Sequence, residues 1–179
     1  MKGSPNIYLI GPMGSGKTAV GKHLARLLSC PFVDSDHEIE VATNADIPLI
    51  FEREGEAGFR RRERDMIVQL TQRQGIVLAT GGGAVLNEES RELLRQRGWV
   101  AFLETSVAHQ AERSARTRHR PLLNGHDPLE RLRQLWAIRE PLYRSIADFT
   151  ISTDNRRVGP VAMAIAEAFQ AARTAIGPV

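Results

Sequence analysis

Cysteine is nearly absent from this chain. Cys30 is the only one, so no internal disulfide can form, and its place before Pro31, beside an expected strand, suits a small buried residue. No apolar run approaches the roughly 20 residues of a membrane-spanning helix. A glycine-rich motif already begins at residue 11, and Met1–Asn6 is too short for the charged region, apolar core and cleavage site of a signal peptide. The cytoplasm is therefore the expected location. Lysine is scarce as well: among 24 Lys and Arg residues, only Lys2, Lys17 and Lys22 are lysines. Arginine offers planar, two-pronged contact to carboxylate and phosphate where lysine offers a point charge, although most of these arginines read as solvated surface. A net charge of +3 is too small to argue for nucleic acid. No Asn-Lys-x-Asp guanine-reading motif, internal repeat, linker or low-complexity segment is present, and His23, His37, His109, His119 and His126 have no metal-ligand spacing. A length of 179 residues suits one domain, residues 1–179, with a substantial core.

Residues 11–18 read Gly-Pro-Met-Gly-Ser-Gly-Lys-Thr, a complete phosphate-loop motif. The apolar run Ile7–Ile10 precedes it, and a helix-like stretch from Ala19 to Leu28 follows. Glycines in such a loop let successive backbone N–H groups turn toward phosphate oxygens, and the helix N-terminus adds partial positive charge there. Lys17 is placed to reach the β- and γ-phosphates of a nucleotide, and the Thr18 hydroxyl to bind Mg²⁺.

Strand and helix signals then alternate. Residues 31–33 read as a second strand, 37–45 and 47–74 as helical, and Ile76–Ala79 as a short apolar strand. Residues 88–97 read as a helix stopped by Gly98, and Trp99–Leu103 as a fourth strand. Residues 106–117 start helical and turn arginine-rich; 127–145 form an amphipathic helix, Phe149–Ser152 a fifth strand, and Pro160 opens a final helix. Continuously apolar strands alternating with helices predict an α/β fold, a parallel sheet covered on both faces.

Two further clusters fall at the ligand-binding edge of such a sheet. Asp34 and Asp36 end the second strand, where residues two apart point to one side. One carboxylate there can hold Mg²⁺ through water and the other can accept or orient an alcohol proton; capping of the next helix by Asp36 is the competing role. Gly81, Gly82 and Gly83 end the third strand and permit close approach of a ligand to backbone. Many phosphate-loop NTPases carry an Asp at the end of a second apolar strand; Thr80-Gly-Gly-Gly stands here instead, which disfavours motor ATPases and GTPases.

Taken together, Gly11-x-x-x-x-Gly16-Lys17-Thr18, Asp34-x-Asp36, Gly55-Glu56-x-x-Phe59-Arg60, Gly81-Gly82-Gly83, Arg120-Pro121-Leu122-Leu123 and Leu142-Tyr143-Arg144 resemble shikimate kinase, in order from about residue 7 to 153. The resemblance implies a three-layer α/β/α fold like that of the small nucleoside-monophosphate kinases. It implies a five-stranded sheet in the order 2-3-1-4-5, a substrate-binding segment at about 37–64 and a mobile lid at about 108–124. It also implies phosphorylation of the 3-hydroxyl of shikimate by ATP with Mg²⁺. The chain is expected to be a monomer that needs neither nucleic acid nor membrane.

Site roles follow by motif. Asp36 resembles the group that grips the reacting hydroxyl, Arg60 and Arg144 the pair on the shikimate carboxylate, and Gly82 a backbone contact to a shikimate hydroxyl. Lys17 and Arg120 resemble the phosphate-stabilising cations, Asp34 and Thr18 the Mg²⁺ shell. Gly14, Ser15, Gly16, Lys17, Thr18 and Ala19, with Arg120 and Arg157, resemble the nucleotide contacts; Arg113 and Arg116 compete to stack on adenine. Glu63, three residues after Arg60, can fix its guanidinium, and Phe51 and Phe59 are pocket-wall or core candidates. Two other readings remain: a kinase of the same fold acting on a neutral polyol such as gluconate, and a nucleotide-operated binding module. Neither needs Arg60 and Arg144 converging on a carboxylate.

Overall fold

The computed structural model describes residues 5–115 and 127–175. In chain order the elements are β1 (Asn6–Ile10), α1 (Lys17–Leu27), β2 (Phe32–Asp34), α2 (Ser35–Thr43), α3 (Ile47–Leu70), β3 (Val77–Ala79), a 3₁₀ turn (Ala84–Leu86), α4 (Glu88–Arg97), β4 (Gly98–Glu104), α5 (Val107–Ala115), α6 (Pro128–Ile146), β5 (Phe149–Ser152) and α7 (Val158–Ala175). The strands form one sheet in the order β2-β3-β1-β4-β5. Every pairing is parallel; Tyr8 lies beside Leu78 on one side and Val100 on the other.

The period-2 alternation of strand side chains sorts the core into two layers. Tyr8, Ile10, Val33, Leu78, Val100 and Phe102 pack with residues of α2, α3, α4 and α6. Ile7, Leu9, Val77, Ala101, Leu103 and Ile151 pack with α1 and α7 on the opposite face. All five residues of β1 are buried, as expected for the centre of a sheet covered on both sides. Buried Asn6 anchors its lower end: Nδ2 donates to Tyr8 Oη at 2.8 Å, and Oδ1 accepts from Ile76 N at 3.1 Å.

Several local expectations need correction. Asp36 is not on a strand; β2 stops at Asp34, and Asp36 sits in the first turn of α2. Capping of α2 falls to Asp34, whose Oδ1 accepts from Asp36 N at 3.1 Å and His37 N at 3.5 Å. The long helix over 47–74 ends at Leu70 and is kinked at Gly55, with φ 67° and ψ −177°, a backbone region nearly reserved for glycine. Pro160 does not open α7 but lies in its first turn, where a missing N–H still costs nothing. Among the described residues no helix is long and apolar enough to cross a membrane.

Candidate active site

The phosphate loop joins β1 to α1. Gly11, Gly14 and Gly16 adopt φ values of 146°, 77° and 87°, and Gly16 is the N-cap of α1. A Cβ on Gly11 would lie 2.5 Å from the Leu103 carbonyl oxygen, so glycine is required for space as well as conformation. Lys17 lies over its own loop, donating from Nζ to the carbonyls of Gly11 and Pro12, both at 2.8 Å, and to Ser15 Oγ at 3.3 Å. Ser15 is buried, while Ala19 is exposed one residue beyond Thr18. From α5, Arg113 donates to Gly14 O at 2.8 Å and to Thr153 O at 3.0 Å, tying the loop to the segment after β5. His109, also on α5, reaches the same segment after β5, with Nε2 3.1 Å from Asn155 Oδ1 and Nδ1 3.4 Å from Asp154 Oδ2. Arg157 is exposed just before α7.

The second half of the site sits on the opposite wall of the glycine edge. The Gly81 N–H donates to Ser35 Oγ at 2.9 Å, and Ser35 is fully buried at the start of α2. A Cβ on Gly81 would meet Glu63 Oε1 and lie 2.6 Å from Asp36 Oδ1, so both carboxylates close on this residue. Burial, then the charges of Glu63 and Asp34, push Asp36 up to about 7, against the pull of Lys17 and Arg60. Burial also raises the Glu63 carboxyl, against the pull of Arg60. Arg60 donates from Nη1 to Glu63 Oε2 at 2.5 Å and from Nη2 to Glu56 Oε1 at 3.3 Å. Arg139 is 4% exposed and donates to the Gly82 carbonyl at 3.4 Å. Burial holds its guanidinium below the ordinary arginine range.

Five buried polar atoms here have no hydrogen-bond partner among the described residues: Asp36 Oδ1, Glu63 Oε1, Arg60 Nε, and Arg139 Nε and Nη2. Leaving one such atom unpaired costs about 1–3 kcal/mol, and more for charged groups. Acceptors and cationic donors gathered at the same glycines suit a small ligand carrying both hydroxyls and a carboxylate.

The sequence model of shikimate kinase matches residues 13–170. The chain belongs to the shikimate kinase family. It is 49% identical over 173 residues to the shikimate kinase of Hahella chejuensis, covering 97% of this chain and 90% of that one. The shikimate kinase of Acinetobacter baumannii is 56% identical over 150 residues, 84% of this chain and 83% of the relative. A solved structure of shikimate kinase from Acinetobacter baumannii in complex with shikimate superposes with TM-score 0.91 at 51% identity, covering 94% of each chain. A gluconokinase from Sinorhizobium meliloti shares the fold, with TM-score 0.63 at 15% identity over 98% of this chain and 97% of its own.

Within the shikimate kinase framework, Arg144 must be corrected. It is not brought to Arg60. Its side chain is 47% exposed and pairs with Glu140 at 2.8 Å and with Glu104, its guanidinium over the Phe102 ring. The arginine delivered to the site is Arg139. The reason is helical phase: Leu132, Trp136, Arg139 and Tyr143 share one inward stripe of α6, and Arg144 lies about 100° further round. An arginine on that apolar stripe was the signal available in the sequence. Phe59 is core, its ring tilted 32° against that of half-buried Phe51 with centroids 4.8 Å apart. Arg116 and Arg120, and with them most of the expected lid, lie outside the described residues.

Thr18 Oγ1 donates to Asp34 Oδ2 at 2.7 Å at the phosphate side of α1. This hard-oxygen pair fits Mg²⁺, which keeps most of its waters and uses one or two protein oxygens plus substrate phosphates. Among the described residues no group of three or more His, Cys, Asp or Glu side chains forms a metal cage.

Proposed function

We propose that the protein transfers the γ-phosphoryl group of ATP to the 3-hydroxyl of shikimate, with Asp36, Arg60, Arg139 and the Gly81–Gly83 backbone as the acceptor site. The observation that carries this reading is the convergence of Asp36, whose Oδ1 is buried, with buried Arg139 and partly buried Arg60 on the glycine edge, within reach of the Lys17 charge. Arg60 and Arg139 present planar donors to the carboxylate of shikimate. Asp36 accepts the hydroxyl proton; a carboxyl titrating at about 7 is matched to that task at neutral pH.

Phosphoryl transfer asks the protein mainly to position groups and neutralise charge. The Gly14–Ala19 segment with the N-terminus of α1 cradles the phosphates, and Lys17 leaves its loop carbonyls to follow the γ-phosphoryl oxygens. Arg120 is the lid cation assigned by resemblance, and Arg113 and Arg157 border the nucleotide. Thr18, and Asp34 through water, would hold Mg²⁺, which would supply charge neutralisation at the nucleotide phosphates. The chain is expected to act as a cytoplasmic monomer.

A coupled ADP-release assay with shikimate, gluconate, nucleoside monophosphates or no acceptor tests this assignment. Release dependent on shikimate alone is expected. Equal release with gluconate, or release without acceptor, contradicts it.

A further inference from the structure

Tyr143 belongs to a motif singled out in the sequence, yet the proposed reaction gives it no part. Its side chain is fully buried, and its hydroxyl donates to the Gly82 carbonyl at 2.5 Å. The same carbonyl accepts from Arg139, one helical turn earlier on α6. The Tyr143 ring is stacked on Phe102 of β4, with centroids 5.0 Å apart, so the hydroxyl has little freedom to move.

The geometry points to Tyr143 as a positioning residue for the acceptor: it fixes the Gly82–Gly83 peptide, and through the shared carbonyl the Arg139 guanidinium, in the orientation that shikimate meets. This rests on the shikimate reading of the site and adds a residue to it.

Three consecutive glycines have no side chains to hold their peptide planes, so orientation must come from outside. The structure supplies two clamps. Ser35 Oγ takes the Gly81 N–H on the α2 side, and Tyr143 holds the Gly82 C=O on the α6 side. Because the peptide is trans, fixing that carbonyl toward α6 turns the Gly83 N–H the opposite way. Arg139 spends one N–H on the Gly82 carbonyl and keeps Nε and Nη2 without a hydrogen-bond partner in the site. Burial pushes the Tyr143 hydroxyl above the ordinary tyrosine range, so it remains a donor at every physiological pH.

Tyr143→Phe tests this, because it keeps the ring stacked on Phe102 and removes only the hydroxyl. Dissociation constants for shikimate and for ATP are measured by calorimetry, together with the amide resonance of Gly83, whose nitrogen shares the peptide plane with the Gly82 carbonyl. The expected result is a shifted Gly83 resonance, shikimate bound about threefold to tenfold more weakly, and ATP affinity unchanged, as for loss of one neutral hydrogen bond. Unchanged shikimate affinity with a shifted Gly83 resonance overturns the positioning role. So does an equal loss of affinity for both ligands, the mark of a merely structural role. Should Tyr143→Phe prove too unstable to titrate, Ser35→Ala releases the other clamp, on the Thr80–Gly81 peptide that opens the same glycine run, and is expected to give the same split; no split there overturns the proposal. Wild-type protein that binds ATP but not shikimate defeats the acceptor assignment and the proposal with it.

Discussion

The carboxylates of Asp36 and Glu63 close on the same residue, Gly81, from two different helices. Two acids so placed, both buried, cannot both hold full charge cheaply; Arg60 takes Glu63 at 2.5 Å, and Asp36 is left titrating at about 7.

That arrangement gives a pH dependence with a definite sign. The carboxylate form of Asp36 is the proton acceptor, so shikimate kcat/KM should fall about tenfold per unit as pH drops below about 7. A flat profile from pH 5 to 8 would remove Asp36 from that role.

Stability should move the other way. Asp36 titrates at 3.8 when unperturbed and at about 7 when folded, so the native state holds the extra proton between those values. Stability contributed by this site is complete below about pH 4 and is lost as pH rises through 7. Asp36→Asn should therefore be inactive yet more stable than the parent at pH 8, by up to on the order of 4 kcal/mol, with the gain vanishing near pH 4. Chemical denaturation at the two pH values measures this; a variant less stable at pH 8 contradicts it.

Gly81→Ala would put a methyl group 2.6 Å from Asp36 Oδ1. Displacement of the reacting groups by about 1 Å can cost on the order of 10²-fold, so shikimate turnover should fall by about that factor while ATP binding persists. An active Gly81→Ala enzyme would mean that the acceptor does not approach this backbone.

Lys17→Met should fold normally and lose on the order of 10²–10³ in kcat, as for loss of one preorganised donor to the transferring group. Steady-state kinetics decide; near-normal kcat would mean that the hydrogen bonds of Lys17 to Gly11 and Pro12 are its whole role.

Much of the architecture was legible because strand burial is continuous and helix burial is periodic: β5 was expected at Phe149–Ser152 and lies there. The phosphate loop was legible because Gly11, Gly14 and Gly16 are all required by φ, and Gly11 by space as well. What escaped was direction. The Asp34–Asp36 spacing suits a strand as well as a strand-to-helix turn, and only the cap made by Asp34 shows which one forms. Arg139 and Arg144 are both basic residues beside one motif, and their helical phase separates them. Ser35 gave no signal, since a small polar residue between two acids looks the same whether it faces water or Gly81.

The Gly55 kink was hidden within a long helical pattern, and it sets where Glu56 and Arg60 begin their turn of α3. Gly55→Ala meets no steric obstacle within 4 Å but must adopt φ 67°. It should cost about 1–3 kcal/mol and weaken shikimate binding. Wild-type stability and affinity together would show that the kink is not needed.

Titrating shikimate into Arg139→Lys and Arg144→Lys side by side decides which arginine meets the acceptor carboxylate. Lysine keeps the charge but loses the planar, two-pronged donor, and a charge-assisted pair is worth about 1.5–3 kcal/mol. Arg139→Lys should bind shikimate at least about tenfold more weakly with ATP affinity unchanged. Arg144→Lys, exposed and paired with Glu140 and Glu104, should stay close to the parent. The reverse pattern, loss at Arg144 and none at Arg139, would contradict an acceptor site built on Asp36, Arg60 and Arg139.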